Sequence, residues 1–190
     1  MYRRRLRPKY TDEQLRQIYR NPHNSDNWED HKVRVRQTIA LGQEAIMPRD
    51  GLIADLSCGN AKIAWELAVH FDIGVPFLGD FASGYLYTGP IEKTINQLGP
   101  NVNLFICSET IEHLDDPDAV LRKIRGRSSQ LLLSTPIGES DTVNPEHYWG
   151  WDEEAVELML QNAGWAPQLR TSLAFYNPNF SYNYQIWLCQ

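Results

Sequence analysis

An α/β fold with a doubly wound, mostly parallel sheet is the class this sequence predicts, on three observations. From residue 51 onward, strand-sized apolar runs alternate with helix-length amphipathic segments, the pattern of a parallel sheet covered on both faces. The segment Leu52-Ile-Ala-Asp-Leu-Ser-Cys-Gly-Asn-Ala-Lys-Ile-Ala-Trp-Glu-Leu-Ala68 passes from an apolar strand through a carboxylate and a turn of small residues into an amphipathic helix. That is how a parallel strand presents a backbone loop to a nucleotide-like ligand. The C-terminal stretch reads as an antiparallel hairpin instead.

The elements follow in order. Thr11-Asp-Glu-Gln14 is a capping box, so a helix is expected to run to about Arg20, ended by Asn21-Pro22-His23-Asn24. A second helix is expected from near Asp26, with Trp28, Val35, Ile39 and Ile46 close to one stripe, stopping before Met47-Pro48. Strands are expected at about 52 to 57, 75 to 80, 103 to 108 and 130 to 135, and helices near 60 to 71, 117 to 126 and 152 to 163. Pro117 fits a first helical turn after Asp115-Asp116, Gly126 fits a helix end, Asp152 fits a cap before Glu153 and Glu154, and Gly164 ends that helix. Arg170 to Tyr176 and Ser181 to Leu188, separated by Asn177-Pro178-Asn179, read as the hairpin, with Tyr182, Tyr184, Ile186 and Leu188 on one face.

Composition sets the class. The 190 residues, 42% hydrophobic and 22% charged, suit one domain, with residues 1–50 a helical flank or lid and residues 51–190 the ligand-binding core. The longest apolar runs are far below the ~20 residues that span a bilayer. Met1-Tyr-Arg-Arg-Arg-Leu-Arg continues into Pro8-Lys9-Tyr10 with no apolar h-region, so an intracellular, cytoplasmic protein is expected. Three scattered cysteines, Cys58, Cys107 and Cys189, imply neither a disulfide framework nor a zinc knuckle. The first nine residues hold five of the 18 Lys+Arg and no acid, leaving 13 against 24 in a body near −11. Such a body is a poor surface for duplex nucleic acid. The arm of Arg3, Arg4, Arg5, Arg7 and Lys9 reads first as a solvated tail and second as a contact for nucleic acid or a phosphorylated substrate.

With Asp55, Cys58 and Gly59 in their expected places, residues 52–68 resemble the first motif of class I S-adenosylmethionine (SAM) dependent methyltransferases. Ser57 and Ala61 stand where that motif usually carries glycine. The resemblance implies a Rossmann-like, seven-stranded sheet closed by the antiparallel hairpin, and SAM as cofactor. It places the cofactor against Asp55, Ser57, Cys58, Gly59 and Asn60. Asp80 ends the second strand 21 residues after Gly59, one strand-helix-strand unit on, where a carboxylate can accept both ribose hydroxyls. By resemblance Phe81 packs on adenine. In Tyr87-Thr-Gly-Pro-Ile-Glu92, proline replaces an expected acid, leaving the Ile91 amide and the Glu92 side chain as adenine contacts.

The third strand runs into Ile106-Cys-Ser-Glu-Thr-Ile-Glu-His-Leu-Asp-Asp-Pro117, which resembles the family's glutamate-histidine-leucine segment. Ser108 and Glu109 would sit nearest the transferred methyl, with Glu112 and His113 a short turn beyond. In Asn144-Pro-Glu-His-Tyr-Trp-Gly-Trp151, a histidine among aromatics suits a proton acceptor and a substrate wall. Catalytic candidates are therefore His147, His113 and Glu109; Tyr148 and Trp149, with Tyr19, His23 and His31 from the flank, are candidates for the acceptor pocket. No His-x-x-x-His pair or cysteine cluster is present, so no metal is expected.

The implied activity is methyl transfer from SAM to an oxygen or nitrogen of a small-molecule, sugar or nucleotide acceptor. The Asn/Asp-Pro-Pro-Tyr/Phe and Pro-Cys signatures of base-modifying enzymes are lacking, and 190 residues leave no room for a separate target-recognition domain. Methylation of a nucleic acid or modified base is the second reading. A non-catalytic SAM-binding or dinucleotide-fold protein is the third; its nicotinamide form lacks an intact G-x-G-x-x-G. Oligomeric state does not follow from sequence.

Overall fold

The computed structural model describes residues 1–24, 27–140, 144–177 and 180–190. A seven-stranded sheet has the order β4-β3-β2-β5-β6-β9-β8. Its strands are β2 (Ile53–Asp55), β3 (Phe77–Asp80), β4 (Tyr87–Thr88), β5 (Val102–Ser108), β6 (Ser128–Pro136), β8 (Pro167–Asn177) and β9 (Phe180–Cys189). The first five are parallel; β9 pairs antiparallel with both β6 and β8. β1 (Arg3–Arg5) and β7 (Trp149–Trp151) form a separate antiparallel pair.

The two-residue period of the strands sorts the core into two layers. Ile53, Leu104, Ile106 and Leu132 face α2 (Glu29–Gly42) and α3 (Lys62–His70), packing with Val35, Ile63 and Leu67. Ala54, Phe105, Cys107, Leu131 and Leu133 face the other way. They meet Val120, Leu121 and Ile124 of α5 (Pro117–Arg125) and Val156 and Leu160 of α6 (Glu153–Asn162). Each fully buried Leu or Ile contributes roughly 1.5–3 kcal/mol, so this alternation fixes which face each helix covers. β9 lies inside the sheet and feeds both layers, Ile186 and Leu188 into one and Trp187 and Cys189 into the other.

Local chemistry sets the element ends. Thr11 and Gln14 make the reciprocal capping box of α1 (Asp12–Ile18), which ends two residues earlier than expected. Asp116 caps α5, with Pro117 in its first turn, and Asp152 caps α6. The expected start of the second helix at Asp26, and Pro178-Asn179 of the hairpin turn, lie outside the described residues. α2 begins at Glu29 and ends at Gly42, so the apolar stripe is shorter than expected. Trp28 precedes it at 50% exposure and Ile46 lies beyond it at 70%, neither in the core.

Two features correct the sequence reading. β4 is an edge strand of only two residues, too short to announce itself by alternation. The basic arm is no solvated tail: Arg3, Arg4 and Arg5 pair with Trp151, Gly150 and Trp149, while Arg3 and Arg5 form ion pairs with Asp118 and Asp115. Their guanidinium groups lie 4.9 and 5.4 Å from the Trp149 ring.

Candidate active site

The carboxyl ends of the parallel strands open into a cavity of about 730 Å³. Asp55 ends β2 fully buried, one oxygen accepting from the Ser57 amide at 3.1 Å. Burial pushes its carboxyl up to about 8, against that hydrogen bond. The loop beyond turns through two left-handed residues, Gly59 at φ +53° and Ala61 at φ +60°. Of the two positions where glycine is replaced, only Ala61 is therefore strained, by roughly 1 kcal/mol; Ser57 is not left-handed. At Gly59 a Cβ would lie 2.7 Å from the His23 carbonyl oxygen.

Asp80 closes the loop from β3. Its Oδ2 accepts from the Gly59 amide at 2.8 Å and its Oδ1 from the Ala82 amide at 2.9 Å. Burial raises its pKa, opposed by these hydrogen bonds. Tyr85 donates to the Gly59 carbonyl at 2.6 Å, a support the sequence reading missed. Cys58, Asn60, Phe81, Ile91 and Glu92 line the same cavity. Pro90 sits at the head of α4 (Ile91–Thr94), after Gly89 at φ +127°.

At the end of β5, Ser108 and Ser134 hydroxyls meet at 2.8 Å, and Ser134 donates to the Glu109 carboxylate at 3.0 Å. Glu109 is left-handed at φ +50°, a strained conformation of the kind that collects at functional sites. Burial pushes its carboxyl up to about 7, while nearby Arg34 pulls it down. Arg34 is buried at 4% exposure, donates to Ser108 at 2.6 Å and lies 5.6 Å from the Tyr184 ring. Sequence reasoning passed over it. The signal was a charged residue sharing the buried side of α2 with Val35 and Thr38, which calls for a polar partner.

Both catalytic histidine candidates line the cavity. His113 Nδ1 lies 3.2 Å from the Glu146 carbonyl and 3.0 Å from the Tyr19 hydroxyl. His147 Nδ1 is bonded to the Glu139 carboxylate, and its Nε2 accepts from the Asn144 amide at 3.0 Å. The two rings meet edge to face at 4.5 Å. Burial lowers both, His147 to about 3 and His113 well below the imidazole range. Glu139 was also missed; it follows Ile137-Gly138 with no pattern to mark it.

The N-terminal flank roofs the cavity. Tyr19 packs on Phe81 at 5.5 Å, Asn24 accepts from Asn60 at 3.1 Å, and His23 stacks on Trp28 while facing His31. Burial and Arg34 lower His31 to about 4. Tyr148 reaches the cavity wall with its hydroxyl bound to the Tyr10 amide. Trp149 does not reach it. As a β7 residue it points under the arm, its indole donating to the Leu114 carbonyl at 2.9 Å, so its expected acceptor role is corrected to a structural one.

This architecture is the Rossmann-like methyltransferase fold. No protein-family model and no curated protein sequence matches the chain. Among solved structures it is similar to the protein crystallised with the Haloferax volcanii methyltransferase activator Trm112. There the TM-score is 0.70 at 13% identity, covering 87% of this chain and 92% of that one. It is also similar to Burkholderia thailandensis 1,6-didemethyltoxoflavin-N1-methyltransferase with bound S-adenosylhomocysteine, at TM-score 0.61 and 14% identity, covering 96% and 91%. The [4+2]-cyclase SpnF shares the fold too, at TM-score 0.59 and 11% identity, covering 84% and 81%.

Proposed function

We propose that the chain is a SAM-dependent methyltransferase that alkylates an oxygen or nitrogen of a small-molecule, sugar or nucleotide acceptor. The observation that carries this reading is the pairing of the left-handed Gly59 loop with the Asp80 carboxylate at the mouth of the cavity. The donor set suits the cofactor: Asp80 for a diol, Phe81 and Ile91 for an apolar base, and polar groups of the Ser57 to Asn60 loop for the amino-acid end. When bound, SAM would supply an activated methyl on a sulfonium, so the protein's work is mainly alignment. Positioning of this kind contributes about 7–11 kcal/mol of a barrier, against ~3–5 kcal/mol from a general base.

Tyr19, His23 and His31 line the cavity and would shape its acceptor side. Glu109, held by Ser134 at the end of β5, would take a proton from a hydroxyl acceptor. The ion pairs that bind Arg3 and Arg5 to this chain's own acids favour a small acceptor over nucleic acid. A cyclase with the same fold keeps a second reading open, a chemistry other than methyl transfer in the same cavity. The test is methyl transfer from labelled SAM to a panel of hydroxyl, amine and nucleotide acceptors. Label on an acceptor, lost in Asp80→Ala, supports the reading; SAM binding without transfer to any class moves the chain to the second.

A further inference from the structure

Beyond the cofactor end of the cavity lies a second cluster whose donor atoms converge. One ligating atom each from Glu112, His113 and His147 lies within 4.8 Å of the others. We propose that these three residues bind a divalent cation of the borderline class, Mn²⁺, Co²⁺ or Zn²⁺.

Both histidines hold the tautomer that ligation through Nε2 requires. A carbonyl oxygen can only accept, so His113 Nδ1, 3.2 Å from the Glu146 carbonyl, carries the hydrogen. That leaves a lone pair on Nε2, which faces Glu112 Oε1 at 3.9 Å. His147 repeats the arrangement with a carboxylate: Nδ1 binds Glu139 Oε2, and Nε2 carries the lone pair. The Asn144 amide fixes this tautomer, because its oxygen accepts from the Glu146 amide at 2.9 Å while its nitrogen donates to His147 Nε2 at 3.0 Å, a hydrogen bond that a cation on Nε2 would replace. A metal-bound histidine ordinarily has its far nitrogen tied to a carboxylate or backbone carbonyl in this way.

Glu112 supplies the second, independent observation. It is fully buried, and Thr135 donates to its Oε2 at 2.9 Å while itself accepting from the Trp151 indole at 3.1 Å. Oε1 has no hydrogen-bond partner. A buried carboxylate oxygen without a partner is a standing penalty that a cation removes. Glu109 and Glu139 add negative potential nearby, and Glu139 Oε1 is likewise without a partner. Arg34 is turned to Ser108 and Tyr184. Two imidazoles and one carboxylate favour borderline metals over all-oxygen Mg²⁺. The sequence reading expected no metal because it found neither a His-x-x-x-His pair nor a cysteine cluster; this cluster joins adjacent residues after β5 to a third from the loop before β7.

If the methyltransferase reading holds, on which this one consequence rests, a cation here selects an oxygen acceptor, since it would bind a hydroxyl and ease its deprotonation. The site itself does not depend on that reading. Its test is titration of the chelator-treated full chain with Mn²⁺, followed by electron paramagnetic resonance and calorimetry, and with Co²⁺, followed by visible absorption. One ion per chain is expected, at least ~100-fold weaker in Glu112→Gln and His113→Gln, and ~10–100-fold weaker in Glu139→Gln, where the support of His147 and a nearby negative charge are lost but no ligand is. S-adenosylhomocysteine affinity and the circular dichroism spectrum, followed in each variant, report whether the fold survives. His113, 20% exposed, carries the test if the Glu112 variant does not fold. No saturable binding of Mn²⁺, Co²⁺ or Zn²⁺ by the wild type overturns the inference, as does binding within threefold of wild type in folded His113→Gln. Cation binding without S-adenosylhomocysteine binding sinks the proposed cofactor and leaves the metal site standing; the converse does the reverse.

Discussion

Gly59 is constrained twice over at the scale of single residues. It is left-handed, and a Cβ there would collide with the His23 carbonyl at 2.7 Å. Gly59→Ala should lose about 1–2 kcal/mol from backbone conformation alone. The clash should also push the flank off the loop, weakening S-adenosylhomocysteine at least tenfold. Urea denaturation and calorimetry on the same variant check both effects, and unchanged affinity would show that the loop and the roof are not coupled. Asp55, Gly59 and Asp80 were legible in the sequence because they punctuate a local strand-turn-helix pattern. Arg34, Tyr85 and Glu139 were not, because each becomes meaningful only against a partner far along the chain: Arg34 with Ser108, Tyr85 with Gly59, Glu139 with His147.

Among the elements, the β1–β7 pair is the one whose role departs most from the composition. The arm is basic because its arginines must meet Asp115 and Asp118 and cover Trp149. Leu6 adds a backbone bond to the Tyr148 carbonyl at 2.7 Å, and Asp152 accepts from the Tyr2 amide. Hydrogen bonds of about 1 kcal/mol and cation–π contacts of about 0.5–1 kcal/mol put the arm's contribution at roughly 2–4 kcal/mol. Removing residues 1–6 should lower denaturant stability by that amount and leave S-adenosylhomocysteine affinity within about threefold. Stability unchanged by the truncation would return the arm to a free tail. The longer helices and the central strands were legible through their periods and caps; α4, a single turn, was not. β1, β4 and β7, at two or three residues each, carry too little pattern to be read.

For the whole molecule, buried acids at the strand ends tie stability to pH. The Asp55 carboxyl stands at about 8 in the folded chain and near 3.9 in an unfolded one. Between those values the folded state holds a proton that the unfolded state has released. The contribution is therefore full below about pH 4 and is lost as pH rises toward 8. His31, lowered to about 4, acts in the opposite direction, but only up to its unfolded value near 6.5. From pH 6.5 to 8 the wild type should lose stability, and Asp55→Asn should lose less. Parallel slopes for the two proteins would mean that Asp55 is ionised when folded.

The proposed function puts SAM in the cavity at the ends of the parallel strands, and that is the claim most in need of a direct answer. The measurement is calorimetric titration of the full chain with S-adenosylhomocysteine, repeated on Asp80→Ala. We expect one site per chain, weakened at least ~100-fold by loss of the charged hydrogen bonds that Asp80 accepts, at about 1.5–3 kcal/mol each, with the variant still folded. No heat of binding in the wild type, or equal affinity in folded Asp80→Ala, would contradict the assignment.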